Sequence, residues 1–252
     1  MFQLSFHMPY FVWRIEKCDD GRKDTANSRP WASPERVSPP GWQGKGTGGF
    51  ISGSQFSCVV TGSDNWRWVS YAFADTYHDG PHEGRETLQE YYTNGLADEG
   101  NCKDPATLGE RDADYPIQDP RLYFLVVIKA WTRRIELEWR QVVSRMKRSV
   151  DEYHARASTS TDAAESNGRS LRQLLHWVVY TADLANKLSR ALSSTVRACE
   201  NFWRGDAVYF ENLPGSGKLL GALRRSFDEL ERLKYDLDDL EHRCDGFAKR
   251  VS

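Results

Sequence analysis

The chain has 252 residues, of which 39% are hydrophobic and 28% charged, enough apolar material to bury a core and too much for a disordered chain. Its formal net charge of -2 is unevenly spread: residues 1–119 carry 11 Lys/Arg against 18 Asp/Glu, residues 120–156 carry 9 against 4, and the rest balances at 14 each. An acidic head before a basic helix is a poor fit to nucleic-acid binding, which needs a dominant basic face, and suits docking of head on helix within or between chains.

Phe2, Leu4, Phe6 and Met8 alternate with Gln3, Ser5 and His7, the period of a strand with one buried face, expected to stop near Pro9. Periodicity is lost over residues 17–49, which hold Pro30, Pro34, Pro39 and Pro40 and a glycine-rich run from Gly41 to Gly49, so this stretch is expected to be a mobile loop. Gln55–Thr61 and Trp66–Tyr77 are rich in β-branched and aromatic residues, and Gly62-Ser63-Asp64-Asn65 between them is turn chemistry, so a hairpin is expected. Trp66 and Trp68 then share one face, read as core or interface. Arg85–Tyr92 reads as a short helix and residues 93–119 as acidic and irregular.

The second half is helical in pattern. Asp119 is placed to cap a helix opening on Pro120, with a seam through Phe124, Ile128, Trp131, Ile135, Trp139, Val142, Met146, Val150 and Tyr153. After a Ser/Thr/Gly break at 157–169, Ser170 is placed to cap a second helix with a seam through Leu174, Val178, Thr181, Leu184, Leu188, Ala191, Thr195, Cys199 and Phe202, ended by Gly205. A turn at Leu213-Pro214-Gly215 leads to a third helix from about Lys218, with a seam through Leu223, Phe227, Leu230, Leu233, Leu237, Leu240, Cys244, Phe247 and Val251. The expected fold is α+β: a hairpin-containing head over 1–118 and a bundle of long antiparallel helices over 119–252, with helices at about 119–156, 170–204 and 217–252. The third seam, above all Phe227, Leu230, Leu237, Leu240 and Phe247, is a candidate interface, since it reaches the last residues of the sequence and needs cover.

Cys18, Cys58, Cys102, Cys199 and Cys244 are odd in number, scattered and never C-x-x-C, which argues for a reducing compartment and against a disulfide framework or structural zinc. The longest apolar stretches, Leu122–Ile128 and about Leu174–Ala182, fall short of the roughly 20 residues that span a bilayer. The opening residues have neither the basic flank nor the apolar stretch of a signal peptide. Pro214-Gly215-Ser216-Gly217-Lys218 lacks the first glycine and the Ser/Thr of a phosphate loop and follows a helix, so a helix-joining turn is the better reading. Asp75, His78, Asp79, His82 and Glu83 form the one dense group of metal-type ligands, balanced by the reading of a solvated turn around Gly80 and Pro81. His7, His154, His176 and His242 show no spacing to a nucleophile and a carboxylate, so no catalytic residue is assigned and the chain is not read as an enzyme. Arg145, Lys147 and Arg148 read as a solvated face, or as a contact for anionic headgroups or the acidic head.

Ser57-Cys58-Val59-Val60-Thr61-Gly62-Ser63-Asp64-Asn65-Trp66-Arg67-Trp68, continued by Tyr71-Ala72-Phe73-Ala74-Asp75-Thr76-Tyr77, resembles the signature block of fungal CorA-like magnesium-transporter-like proteins. Ser5-Phe6-His7-Met8-Pro9-Tyr10-Phe11 and Asp119-Pro120-Arg121-Leu122-Tyr123-Phe124 resemble the same family. The resemblance implies an α/β head and long cytoplasmic helices leading to membrane helices, five-fold assembly, and magnesium as the ion handled. The family's Gly-Met-Asn motif and membrane helices have no counterpart in this sequence, so no pore residue carries over. The expectation is a cytoplasmic regulatory or assembly module that cannot conduct ions alone. It would be a truncated product or a pore-less paralogue, self-associating or bound to a full-length relative, and apolar segments encoded beyond Ser252 would make it half of a transporter. A helical scaffold unrelated to transport is the alternative, followed by a metal enzyme built on the Asp75–Glu83 cluster.

Overall fold

The computed structural model describes residues 1–14, 35–36, 49–75, 103–159 and 168–251. The expected helix at 85–92 and most of the 17–49 loop lie outside these residues, as do the side chains of Tyr153, His154, Ser170, Leu174 and Val251. The fold is α+β, an antiparallel sheet followed by helices α1 (Pro120–Thr159), α2 (Gly168–Asn201) and α3 (Ser216–Val251).

Strand β1 (Phe2–Arg14) pairs along its whole length with β3 (Phe50–Gly62). On the other side of β3 lie β4 (Trp68–Ala74) and the short β2 (Glu35–Arg36), which falls inside the expected loop. The expected stop at Pro9 is corrected, since β1 runs on to Arg14. Proline is tolerated in a strand whose N–H side faces away from the ladder. The Pro9 carbonyl points off the sheet, where it accepts from Thr195 Oγ1 of α2 at 2.5 Å, so its nitrogen lies on that edge too. The hairpin turn is where Gly62 and its neighbours place it, although β3 starts earlier and β4 later than expected. A Cβ on Gly62 would meet the Arg67 carbonyl at 2.5 Å, so the turn closes only over glycine.

Asp119 caps α1, its Oδ1 accepting from the N–H groups of Arg121 (2.8 Å) and Leu122 (3.2 Å), with Pro120 first in the helix. The α1 seam from Phe124 to Val150 is buried, and so are Leu125, Val127, Thr132 and Val143 beside it, because α1 covers the sheet and α3 at once. Ser170 is not the cap of α2, which already begins at Gly168. α2 ends at Asn201, ahead of Gly205, in a wider π turn over Phe202–Asp206 and a short 3-10 turn over Ala207–Tyr209. Gly215, at φ +86, then turns the chain into α3, and Ser216 Oγ donates to the Leu213 carbonyl at 2.8 Å.

Cross-helix pairs fix the directions. Glu136, Arg140, Lys147 and Asp151 of α1 bond in ascending order to Ser226, Glu229, Asp236 and Arg243 of α3, so these helices run the same way. Asn186 and Ser189 of α2 bond in descending order to Glu241 and Asp238, so α2 runs opposite to α3. Among the described residues the helices do not close on each other as a separate bundle. α3 packs on both α1 and α2, and from the other side β1 packs on both as well. Phe6 of β1, Phe124 of α1, Phe202 at the end of α2, Phe210 of the connection and Phe227 of α3 form one ring cluster, with centroids 5.8–6.2 Å apart where they touch. Sheet and helices therefore share one core.

At the far end of β1, Arg14 is buried and bidentate on Glu138 of α1, at 2.9 and 3.2 Å, and Arg134 reaches the same carboxylate at 2.8 Å. Removing one partner of such a pair strands a buried charge. Glu138→Ala is expected to cost about 3–5 kcal/mol in urea denaturation, while the apolar double variant Arg14→Met/Glu138→Leu stays within about 1–2 kcal/mol of the parent.

Candidate functional site

Asp75 closes the free end of the hairpin. It is buried, its Oδ2 accepts from the Gln55 N–H at 3.0 Å, and its own N–H donates to the Gln55 carbonyl at 3.1 Å. His78, Asp79, His82 and Glu83 lie outside the described residues, and among the described residues no group of three or more His, Cys, Asp or Glu is placed to hold a metal. Of the candidate interface residues on α3, Phe227, Leu230, Leu237 and Leu240 are buried within the chain, and Phe247 packs partly buried against the same core. Their cover is intramolecular, supplied by α1 and α2.

Of the basic run on α1, Lys147 is paired with Asp236 at 3.1 Å and Arg148 with Glu152 at 3.7 Å. Head-to-helix attraction is visible where Lys129 of α1 meets Glu110 at 2.8 Å, although the buried Arg14–Glu138 pair has the opposite polarity. A groove of about 460 Å³ between α1 and α3 gathers Lys129, Arg133, Arg140 and Arg225 around Glu136 and Glu229. Its positive charge is largely spent. Glu136, almost fully buried, accepts from Arg133 and Arg140 at 2.6 Å and from Ser226 at 2.8 Å, and Glu229 binds Arg140 and Arg232. The Arg232 guanidinium, and then Arg140, hold the Glu229 carboxyl below its ordinary range. The groove is a lattice of ion pairs joining two helices.

The feature that sequence reasoning missed is the outer face of the hairpin. Val69, Tyr71 and Phe73 alternate outward along β4 and are 44%, 51% and 62% exposed, with the Tyr71 and Phe73 rings stacked at 6.4 Å. Their neighbours on the same face are mostly small or polar: Thr61, Val59 and Ser57 on β3, then Gln3, Ser5 and His7 on β1, where His7 Nδ1 bonds Ser57 Oγ at 2.7 Å. Trp66 is not in the core: it sits in the turn, 84% exposed. Trp68, on the inward side, is the residue tied down, its Nε1 donating to the Gln118 carbonyl at 3.1 Å and its ring packing at 5.2 Å on Tyr123. Asp64 holds the turn by accepting from the Trp66 and Arg67 N–H groups at 2.8 and 2.9 Å, and these bonds, Trp66 first, keep its carboxyl below the usual range. The available signal was the parity of the strand. Trp68–Ala74 carries no charge and puts an apolar side chain at every odd position while its even positions include the buried-side Trp68. Only one face of an edge strand can enter the core, so the other must show its rings to water or to a partner.

Cys58, Cys199 and Cys244 are free and buried. Burial is the main cause pushing the Cys58 and Cys244 thiols up to about 11, and it raises Cys199 as well. Thiolate is the reactive form, so these cysteines are core side chains rather than nucleophiles. Comparison of the chain with protein-family models, with curated proteins and with solved structures finds no match. Peptide mapping after maleimide treatment at pH 7 should find Cys58, Cys199 and Cys244 unmodified in the folded protein and fully modified in urea.

Proposed function

We propose that this chain is an assembly or regulatory module of the CorA-like, magnesium-transporter-like kind, working in the cytoplasm beside copies of itself or a full-length relative. What supports the reading is that the sequence blocks carrying the resemblance meet in space. His7 of the first block bonds Ser57 of the second, and Trp68 of the second packs on Tyr123 of the third and donates to the Gln118 carbonyl just ahead of it. Phe6 and Phe124 enter the same ring cluster through Phe202 and Phe210. Among the described residues no helix is long and apolar enough to cross a membrane, so conduction would have to be another chain's or segment's task. Reduced, buried cysteines fit a cytoplasmic setting. We also read the rods as an antiparallel bundle, with α2 opposed to its neighbours and β1 laid against α1 and α2.

A ligand that binds only the folded form at about 100 times its Kd adds roughly 2.7 kcal/mol, or about 5–10 °C in Tm for a chain of this size. Millimolar magnesium is therefore expected to raise the melting temperature by about that much, and light scattering to return more than one chain per particle. A monomer with a magnesium-independent Tm would remove the proposal. The exposed Val69, Tyr71 and Phe73 favour a second reading, a helical scaffold that binds another protein through its sheet and has no link to ion transport. In that case Tyr71→Ser/Phe73→Ser abolishes capture of the partner and magnesium has no effect.

A further inference from the structure

Among the described residues nothing guards the free edge of β4. Edge strands in soluble proteins are protected by lysine, proline, a bulge or a covering element, because their free N–H and C=O groups template pairing with another chain. From Trp68 to Ala74 there is no charge and no proline, and the described residues place no strand beside β4 other than β3. Ala72 is exposed although its side chain is on the inward-facing parity.

The hydrogen-bond parity says which residues face the free edge. The Asp75 N–H and the Arg67 carbonyl both point toward the neighbouring hairpin strand, bonding Gln55 and Ser63. By alternation Val69, Tyr71 and Phe73 direct their backbone groups to β3, and Trp68, Ser70, Ala72 and Ala74 direct theirs to the edge.

We propose that β4 is a dimerisation strand, pairing antiparallel with β4 of a second copy about a two-fold axis that passes between the two Tyr71 residues. In this register Ser70 opposes Ala72 and Trp68 opposes Ala74 at the hydrogen-bonded positions, which joins the outward-facing backbone groups in about eight bonds. Tyr71 meets its own mate at a non-hydrogen-bonded position, where side chains come closest. The strand is self-complementary in size, Trp68 against Ala74 and Phe73 against Val69, as a two-fold contact requires.

This inference deepens the assembly reading above and rests on it only in that the chain self-associates. The test uses the full chain with wild type in parallel to account for its native cysteines, and far-UV circular dichroism to confirm each variant's fold. Tyr71→Cys is expected to form a reducible dimer under mild oxidation, since cross-strand Cβ atoms at such a position are about 4.5–5.5 Å apart. Val69→Cys alone stays monomeric on the non-reducing gel, whereas Val69→Cys/Phe73→Cys crosslinks. Val69→Lys/Phe73→Lys sets lysines against each other in both copies and converts the dimer to monomer in light scattering. Folded Tyr71→Cys that fails to crosslink, or Val69→Cys that crosslinks alone, overturns the proposal. A Tyr71-centred dimer indifferent to magnesium leaves it standing while the transport-related reading falls. An oligomer that survives the double lysine variant does the reverse.

Discussion

The structure depends on the second half of a single strand being covered on both faces. From Tyr10 to Arg14 both faces of β1 are buried, which no edge strand of a free-standing sheet achieves. The cover comes from α1, where Phe11 meets Trp139 at 5.7 Å and Met8 lies 3.8 Å from Thr132, and from α2, where Thr195 takes the Pro9 carbonyl. Leaving those strand groups without partners would cost about 1–3 kcal/mol each, so the strand helps to fix each helix in position. α3 then closes the opposite side, held by Ser226, Glu229 and Asp236 on α1 and by Asp238 and Glu241 on α2.

That arrangement decides what is left exposed. Because α1 and α2 converge on β1, the helical layer is spent before it reaches the far edge of the sheet. β4 meets the helices through Trp68 at the start of α1, while Tyr71 and Phe73 face away from them. The same packing that makes the core continuous leaves the rings on the outer side of β4 exposed while it covers the stripe of the third helix.

Much of this was legible in the sequence. The helical seams are buried or, at Ala191 and Phe247, partly buried where their side chains are described, because a 3–4 spacing on a long helix leaves no other way to hide a stripe. The Asp119-Pro120 start and the Gly215 turn follow from local chemistry alone. The run of β1 past Pro9 was not legible, since it needs Thr195 to sit on the proline's open side, and that is a contact across 186 positions. Nor was the fate of the α3 stripe. Periodicity says that a stripe must be covered, but whether α1 and α2 or another chain covers it depends on how the rods are arranged. The exposed side of β4 failed for a related reason, as Trp66 and Trp68 look alike in composition and the turn held by Asp64 separates them.

The central claim is that the sheet and the helices form one cooperative body through β1. Native-state hydrogen exchange tests it most directly, because amides in one cooperative unit share one opening free energy. The account predicts that the β1–β3 ladder amides, Met8 and Val12 among them, exchange with the same free energy and urea dependence as those of Ile135 and Trp139 in α1. Sheet amides that open in a separate, lower-energy step while α1 stays protected would contradict it.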